Sequence, residues 1–227
     1  MKFIFYLLAN CLCLTLVLAC SSDNNASQAN YIQQGNDLLN QGETEKAIAI
    51  FDQAIKANPN QAEAYVIRGI AYLAIDPNVS LTDFNKAIEI DTDYADAYLQ
   101  RGIFYFNRGI ALSNSSDLEL AMDDFDEVIE IEPDNSDGFN RRARIHMLAG
   151  NYNQGLFDLD KAILHNPSNA EAVVDRGILL GSLAKEETGV DPDLKQSSCE
   201  DLSSIPDLTD DTVIIQDATD FFLRYEC

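Results

Sequence analysis

The chain has 227 residues, with 38 acidic against 15 basic side chains and a formal net charge of −23. So much negative charge argues against a nucleic-acid-binding protein, because neutralising phosphates requires a basic surface. Hydrophobic residues make up 46% and charged residues 23% of the chain, as in ordinary globular proteins, so the acidity does not indicate disorder. Tryptophan is absent and glycine and proline number only 11 and 6, which favours helices over turn-rich sheet architectures.

Residues 1–19 form an apolar run with a single basic residue, Lys2, near its start and a small residue at its end. The run is short for a membrane span and a polar stretch comes directly after it, so the pattern predicts a cleaved signal peptide. The tetrapeptide VLAC at 17–20 resembles the lipobox of bacterial lipoproteins, which implies that Cys20 becomes the lipidated first residue of the mature chain. The alternative is a plain secretory leader with a coincidental cysteine.

Residues 20–27 are predicted to tether the rest of the chain to a membrane. Two or three acyl chains suffice for stable anchoring, whereas the acidic chain itself would be repelled by anionic headgroups. The polar residues after Cys20 reach at most about 25 Å when extended, so the first repeat should lie close to the bilayer. An aspartate directly after the lipidated cysteine would resemble an inner-membrane retention signal, but this chain has Ser21 there. The expected location in a diderm is therefore the outer membrane. In another host it is the outer face of the plasma membrane.

The body of the chain repeats with a period of about 34 residues. Each copy has an aromatic residue and a small residue four positions later. A large apolar residue follows 15 or 16 positions after that, or 23 in the third copy, and an alanine or valine stands three positions further. Each copy thus contains two helical stripes, and a proline usually follows the second, where it ends the helix because it lacks an amide donor. The first small residues of the four clear copies are Gly35, Gly69, Gly102 and Ala143.

These markers resemble those of the tetratricopeptide repeat, a helix-turn-helix unit. The resemblance implies an all-α solenoid in which successive repeats bury one another's apolar faces and the first helices line a concave groove. The predicted repeats are 28–61, 62–94, 95–135 and 136–169 with a fifth first helix from 170, all within a repeat region of 28–189, and a degenerate last repeat with a capping helix over 190–227.

The third repeat carries extra residues between its two helices, around 110–117. Residues 116–119 read Ser-Asp-Leu-Glu, which is the pattern of a capping box. The sequence therefore predicts that the second helix of this repeat begins with Ser116 as its cap.

An arginine precedes the small residue in four repeats. Because so many acidic residues lie nearby, we expect these side chains to pair with acidic residues of the adjacent helix rather than to bind anions. The four are Arg68, Arg101, Arg142 and Arg176.

Cys199 and Cys227 are the cysteines left once the leader and the lipidated Cys20 are set aside. An even pair in an exported protein suggests a disulfide. The arrangement also resembles the cysteine-containing last repeat and terminal cysteine of some envelope repeat proteins, which implies a bond that ties down the last helix. The alternative is two unpaired thiols that do not align along their helices.

Little in the sequence indicates catalysis or metal binding. His146 takes the position of a large core residue, and His165 ends a second helix, where a cation suits the helix dipole. The acidic run over 123–134 is interpreted as the solvated face of a helix, since it lacks the spacing of a calcium loop. With no nucleophile motif, phosphate loop or metal-ligand spacing, no enzyme activity, cofactor or metal is predicted.

The resemblance also implies which first-helix positions face the groove, and the middle of this set is apolar, as at a partner site. The expected function is a scaffold or adaptor that binds other envelope proteins or peptide segments, and the alternative is a surface glycan or small-ligand binding lipoprotein. The sequence leaves open the oligomeric state and whether the groove is filled by the insert or a neighbouring helix. The candidate partner-binding residues are Val66, Ile70, Leu73, Leu99, Ile103, Phe106, Arg144 and Met147.

Overall fold

The structure, a computed structural model, describes residues 30–186, 192–209 and 214. Within these ranges the regular elements are helices joined by short turns, and the predicted all-α fold is confirmed. The helices are α1 (30–40), α2 (Thr44–Ala57), α3 (Ala62–Tyr72), α4 (Pro77–Ile90), α5 (Ala95–Leu112), α6 (Ser115–Ile131), α7 (Ser136–Leu148), α8 (Tyr152–His165), α9 (Ala170–Glu186) and α10 (Pro192–Leu208).

Several predictions concern residues outside these ranges. The signal peptide, the lipidated Cys20 and the tether precede residue 30, and Cys227 follows residue 214. Most of the predicted capping helix also lies outside the described residues. Ile214 itself is helical and packs against a cluster that contains Val173 and Leu202. None of the helices in the described part of the chain is both long and apolar enough to cross a membrane.

Odd-numbered helices pack closely against the even-numbered helices that follow them. In every pair except α7 and α8, where the small residue is Ala143, a glycine faces a large side chain of the next helix. A Cβ atom on Gly69 would lie 2.7 Å from the ring of Phe84, and one on Gly102 would lie 2.6 Å from the ring of Phe125. Both phenylalanines are fully buried. The small residue of each repeat is therefore required by the short distance between the two helices.

In three repeats the second helix is followed by a C-cap residue and then by a proline. The C-cap residues Asn58, Glu132 and Asn166 have ψ angles of 93°, 87° and 92°. Steric contact with the proline ring disfavours the helical conformation for the residue before it. α4 ends in the same way at Asp91, which has a ψ of 102° and precedes Thr92, so the proline favours this helix end but is not required for it.

The chain divides into two compact units, Met1–Arg101 and Gly102–Cys227, and the division falls within α5. In the first unit, one core cluster contains Ala47, Phe51 and Ala71. In the second unit, a core cluster around Phe139 and Leu159 joins α7, α8 and α9.

The insert of the third repeat lengthens two helices. α5 has 18 residues and α6 has 17, against 14 in α2 and 11 in α3. The predicted capping box is wrong: α6 begins at Ser115, and the side chain of Asn114 accepts the backbone N–H of Ser116 at 3.1 Å. Asparagine is among the best N-cap residues and comes two positions earlier, so Ser116 lies inside the first turn. Ser113, with a φ of 51°, makes the tight turn before this cap.

Candidate functional site

Arginines join successive repeats in a regular pattern that we call the arginine ladder. Arg68 donates two hydrogen bonds to the carboxylate of Asp83 in its own repeat, at 2.9 and 2.7 Å. Its Nη1 donates a third, at 2.6 Å, to Asp52 in the preceding repeat. The predicted pairing with acidic residues is confirmed for Arg68, Arg142 and Arg176. The same pattern joins Arg142 to Asp158 and Asp126 and Arg176 to Asp201 and Asp160, and Nη1 of Arg101 donates to Asn85.

The ladder leaves these guanidinium groups with no role as an anion site. The hydrogen bonds from Arg68 to Asp83 raise the pKa of Arg68 above its ordinary value, although burial acts in the opposite direction. Asp158 and Asp201 raise the pKa of Arg142 and Arg176 in the same way. The three arginines therefore stay charged, and their donors point at protein carboxylates.

The predicted partner-binding residues occupy different environments. Val66 and Leu99 are buried, with 0% and 9% of their surface exposed, so the prediction that they face a partner is wrong. Each lies one turn from a buried alanine, Ala62 or Ala95, on the stripe that packs against neighbouring helices. In the first compact unit, Ile70 and Leu73 are each 37% exposed and remain available.

Three of the predicted residues come together in the second compact unit. Phe106, Arg144 and Met147 line one cavity of about 490 Å³, whereas Ile103 is half-buried and does not line it. The wall is formed by α5, α7, α9 and the start of α8, so the first helices of three successive repeats contribute. We call this cavity the first-helix groove. Its other lining residues are Ile110, Leu148, Tyr152, Asp175, Leu179 and Ser182.

One ion pair lies in this otherwise apolar wall. Nε of Arg144 donates to Asp175 at 2.5 Å, and Nη2 of Arg144 lies 3.2 Å from Glu171. Burial raises the pKa of the Asp175 carboxyl, and the charge of Arg144 offsets only part of this effect. Because Arg144 is neutralised by its own neighbours, the groove is suited to an apolar and uncharged group rather than to an anion.

Sequence reasoning missed Asp175 and Leu179. The fifth repeat has Val173 where the other repeats have an aromatic residue, so its first-helix positions were not assigned to the groove. The fifth first helix was predicted from residue 170, and assigning its positions as in the other repeats would have brought α9 into the set. Ile110 was missed because the insert was expected to interrupt α5, which instead continues to Leu112.

A second cavity, of about 510 Å³, lies on the second-helix side of the same compact unit. His146 reaches it from α7, with Nε2 at 3.8 Å from Asp158, so the prediction of a packed core histidine is wrong in part. Nδ1 of His146 is buried without a hydrogen-bond partner. Phe157, with 58% of its surface exposed, stands at this cavity together with the amides of Asn153 and Gln154.

The remaining candidate residues give no reactive centre. The ring of His165, at the end of α8, stacks on Phe139 with centroids 5.7 Å apart. Cys199 lies half-buried in α10, and its pairing with Cys227 stays a prediction because Cys227 is outside the described residues. Among the residues that the structure describes, no three or more His, Cys, Asp or Glu side chains are grouped so as to hold a metal ion.

Solved structures with the same fold are numerous, and three are representative. Among them is pilF of Pseudomonas aeruginosa, with a TM-score of 0.70 and 17% identity over 89% of this chain and 87% of that one. TTC0263, a thermophilic tetratricopeptide protein of Thermus thermophilus, gives 0.67 and 16% over 88% and 97%. YrrB, described as a tetratricopeptide protein with an unusual peptide-binding site, gives 0.54 and 18% over 88% and 95%.

At these identities the likeness concerns the fold. No curated protein matches the sequence. Two family models of the tetratricopeptide repeat do match, over residues 32–76 and 103–135. The first range covers α2, α3 and nearly all of α1, and the second covers α6 and most of α5. The chain therefore contains tetratricopeptide repeats over these two ranges and has the fold of tetratricopeptide solenoids.

Proposed function

We propose that this protein is a lipid-anchored scaffold of the bacterial cell envelope whose first-helix groove binds a segment of another envelope protein. One observation carries the proposal: Phe106, Arg144 and Met147, predicted as partner-binding residues, line a single cavity. Protein–protein interaction is the usual role of this fold, and the groove supplies a specific place for it.

The groove has the size and lining of a binding site. Its volume of about 490 Å³ falls within the range of about 300–1,000 Å³ that ligand pockets occupy. Ile110 and Leu148 at its edge are 47% and 55% exposed, which leaves apolar surface in contact with water. Covering these side chains with an apolar segment would remove that surface from water, which favours association.

The chemistry of the groove favours a peptide segment with large apolar side chains. Aromatic and sulfur-containing side chains such as Phe106, Tyr152 and Met147 adapt to varied apolar partners. The Arg144–Asp175 pair leaves no net charge for an anionic or cationic anchor. YrrB, which shares the fold, is described as having a peptide-binding site, and this supports a peptide partner.

Crosslinking in the native envelope tests the groove. Phe106→Glu and Met147→Glu each introduce a charge into the apolar wall, and both should abolish crosslinking to a discrete protein partner. Leu164→Glu is the matched control, because Leu164 is 69% exposed on α8 and does not line the groove. A partner retained by both groove variants would contradict the proposal. Ile70→Glu tests separately whether the first compact unit takes part.

The envelope location rests on the amino-terminal sequence. Cys20 follows the apolar leader in a lipobox-like context, and a polar tether separates it from the first repeat. Cys20→Ser should abolish labelling by radioactive palmitate and move the protein from the membrane fraction to the soluble fraction. Retention of both label and membrane association would contradict the lipid anchor. Fractionation of the wild-type envelope by density tests the outer membrane against the inner one.

A surface glycan or small-ligand binder is the second candidate, and Phe157 favours it. An exposed aromatic ring beside Asn153 and Gln154 offers a stacking surface and planar hydrogen-bonding groups. Nζ of Lys161 lies 5.6 Å from the ring centroid of Phe157 and covers part of one face. Calorimetric titration with cell-wall or nutrient glycans, with Phe157→Ala as the variant, tests this candidate. Heat that saturates in the wild type and vanishes in the variant would favour glycan binding.

A further inference from the structure

A separate apolar surface lies on the other side of Leu148 from the first-helix groove. A hollow of about 350 Å³ is formed there by α6 and the end of α7, with an apolar floor and an acidic edge. We call it the insert surface. The floor contains Leu118, Met122, Ile145 and Leu148, and Glu119 and Asp123 stand at the edge.

The insert of the third repeat contributes Ser115 to this surface and fixes the start of α6, which carries Leu118, Glu119, Met122 and Asp123. Arg108 donates two hydrogen bonds to the carboxylate of Asp117, at 2.7 and 2.6 Å, and thus joins the added turns of α5 and α6. A Cβ atom on Gly109 would lie 2.9 Å from Leu118, so the two helices are in close contact at this point. With Asn114 as the N-cap, the extension is an ordered helical pair whose side chains have fixed positions.

The charge of the insert surface differs from that of the groove. Glu119 and Asp123 are exposed, lie one turn apart on α6, and form no ion pair with a residue that lines the hollow. No basic side chain is among the described residues that line it. In the groove, by contrast, Asp175 is neutralised by Arg144. The insert surface thus combines an apolar floor with two carboxylates that have no partner across the hollow.

We propose that the insert surface docks a basic amphipathic helix of a partner protein. Apolar side chains of such a helix would enter the hollow beside Leu148, and lysine or arginine on its flank would reach Glu119 and Asp123. Carboxylates one turn apart on α6 are separated by about 6 Å along the axis, which matches the spacing of cations one turn apart on a second helix. The net charge of −23 disfavours a second copy of this chain and an anionic membrane as occupants. This inference goes beyond the proposed function, because it requires neither the groove nor Phe106.

A pair of synthetic peptides tests the chemistry of the occupant. The first is a 15-residue helix with leucine on one face and lysine on its flanks, and the second has glutamate in place of every lysine. In calorimetric titrations of the full chain, the leucine–lysine peptide should bind, and its affinity should fall as salt is raised. The leucine–glutamate peptide should bind at least about tenfold more weakly. Equal binding of the two peptides would overturn the proposal.

Matched variants test the location. Glu119→Lys with Asp123→Lys should weaken binding of the leucine–lysine peptide by about tenfold or more. The control, Glu130→Lys with Asp134→Lys, makes the same change in net charge at the last turn of α6 and the turn after it, and should leave binding unchanged. Ala149→Arg adds a cation at the hollow, and Leu164→Arg adds one at the end of α8. Phe106→Glu alters only the groove and should leave peptide binding unchanged.

These variants lie on different helices and at exposed positions, so a folding defect in one leaves the other as a test. Thermal unfolding of each variant checks that it folds. A loss of binding confined to the two insert-surface variants would support the proposal. Equal losses in the insert-surface variants and their controls, or no loss in any of them, would overturn it.

Discussion

The arginine ladder and the two apolar surfaces differ in one instructive respect: the ladder repeats along the chain and the surfaces do not. Arginine stands before the small residue in four repeats, and its hydrogen-bond partner in the preceding repeat always lies 16 residues earlier. Phe106 shares its position with Leu73 and Met147, but Arg144 stands where the second and third repeats have isoleucine. Leu148 stands where they have alanine and asparagine. What recurs in every repeat serves the stacking of helices, so function is best sought among the residues that occur once.

The first repeat supports this distinction, because it lacks both members of the buried pair. Gln34 stands where the other repeats have an arginine. Ile50 stands where they have the aspartate that accepts two hydrogen bonds from that arginine. A buried aspartate without its arginine would be costly, and the two are absent together. The pair thus behaves as one structural unit, which substitutions can test against the surfaces.

The largest effect is expected from the repeated core. Phe84→Ala should lower the free energy of unfolding by about 3–5 kcal/mol, because a fully buried aromatic ring leaves a cavity between two helices. Phe157→Ala removes the same atoms from an exposed position and should cost less than about 0.5 kcal/mol. Urea denaturation of both variants measures the difference. Similar losses in the two would show that burial does not separate scaffold from surface.

The predicted disulfide comes next. If Cys199 and Cys227 are bonded, reduction should destabilise the last repeat by about 3.5 kcal/mol, because the bond closes a long loop in the unfolded chain. Denaturation curves with and without reductant give the change, and Cys199→Ser should reproduce it. A Cys199→Ser variant that unfolds like the wild type, with or without reductant, would rule out a stabilising bond.

A smaller effect is expected from one rung of the ladder. Arg142→Gln leaves the buried carboxylate of Asp158 without its ion pair and should cost about 2–3 kcal/mol. Adding Asp158→Ile reproduces the pair found in the first repeat and should recover part of this loss. Asp126→Ala removes only the exposed outer partner and should cost less than about 1 kcal/mol. A double variant less stable than Arg142→Gln alone would contradict the interpretation of the two residues as a unit.

The smallest effect concerns the groove and depends on pH. Burial raises the pKa of Asp175 above 3.8, so the folded protein binds more protons than the unfolded chain in the window above that value. Stability attributable to this group therefore falls as pH rises through the window. Asp175→Asn should lose this dependence, whereas Asp134→Asn, at an exposed turn, should keep it. Denaturation midpoints of the wild type and both variants, measured below and above this pH window, test the prediction. If the midpoint of Asp175→Asn changes with pH as that of the wild type does, the raised pKa of Asp175 is contradicted.

The sequence predicted the fold well because the relevant signals are local and repeated. An aromatic residue, a small residue and a proline at fixed spacing indicate where helices pack and end, as at Gly69 and Pro133. The pairing of Arg68 with carboxylates followed from the abundance of acidic residues on the neighbouring helices. Such features need no knowledge of distant parts of the chain.

The candidate site was predicted less completely, because it depends on small rotations of helices and on one irregular repeat. Val66 was assigned to the groove from its position in the repeat, yet it faces the packed stripe. Asp175 and Leu179 lie in the repeat whose aromatic marker is missing. At the insert, Asn114 and Ser116 are both possible N-cap residues, and the structure uses Asn114. With this start of α6, Asp117 lies in the first turn, where it accepts a hydrogen bond from Arg108.

The arginine ladder also bears on how such a chain can grow or shrink during evolution. The buried ion pair, such as Arg68 with Asp83, lies within one repeat. The ion pair to the previous repeat involves an exposed carboxylate such as Asp52. Deleting or duplicating a whole repeat therefore leaves no buried charge of the ladder without its counterion. Repeat number could then change by duplication at little energetic cost, while residues that occur once, such as those of the insert, would diverge to give each descendant its own partners.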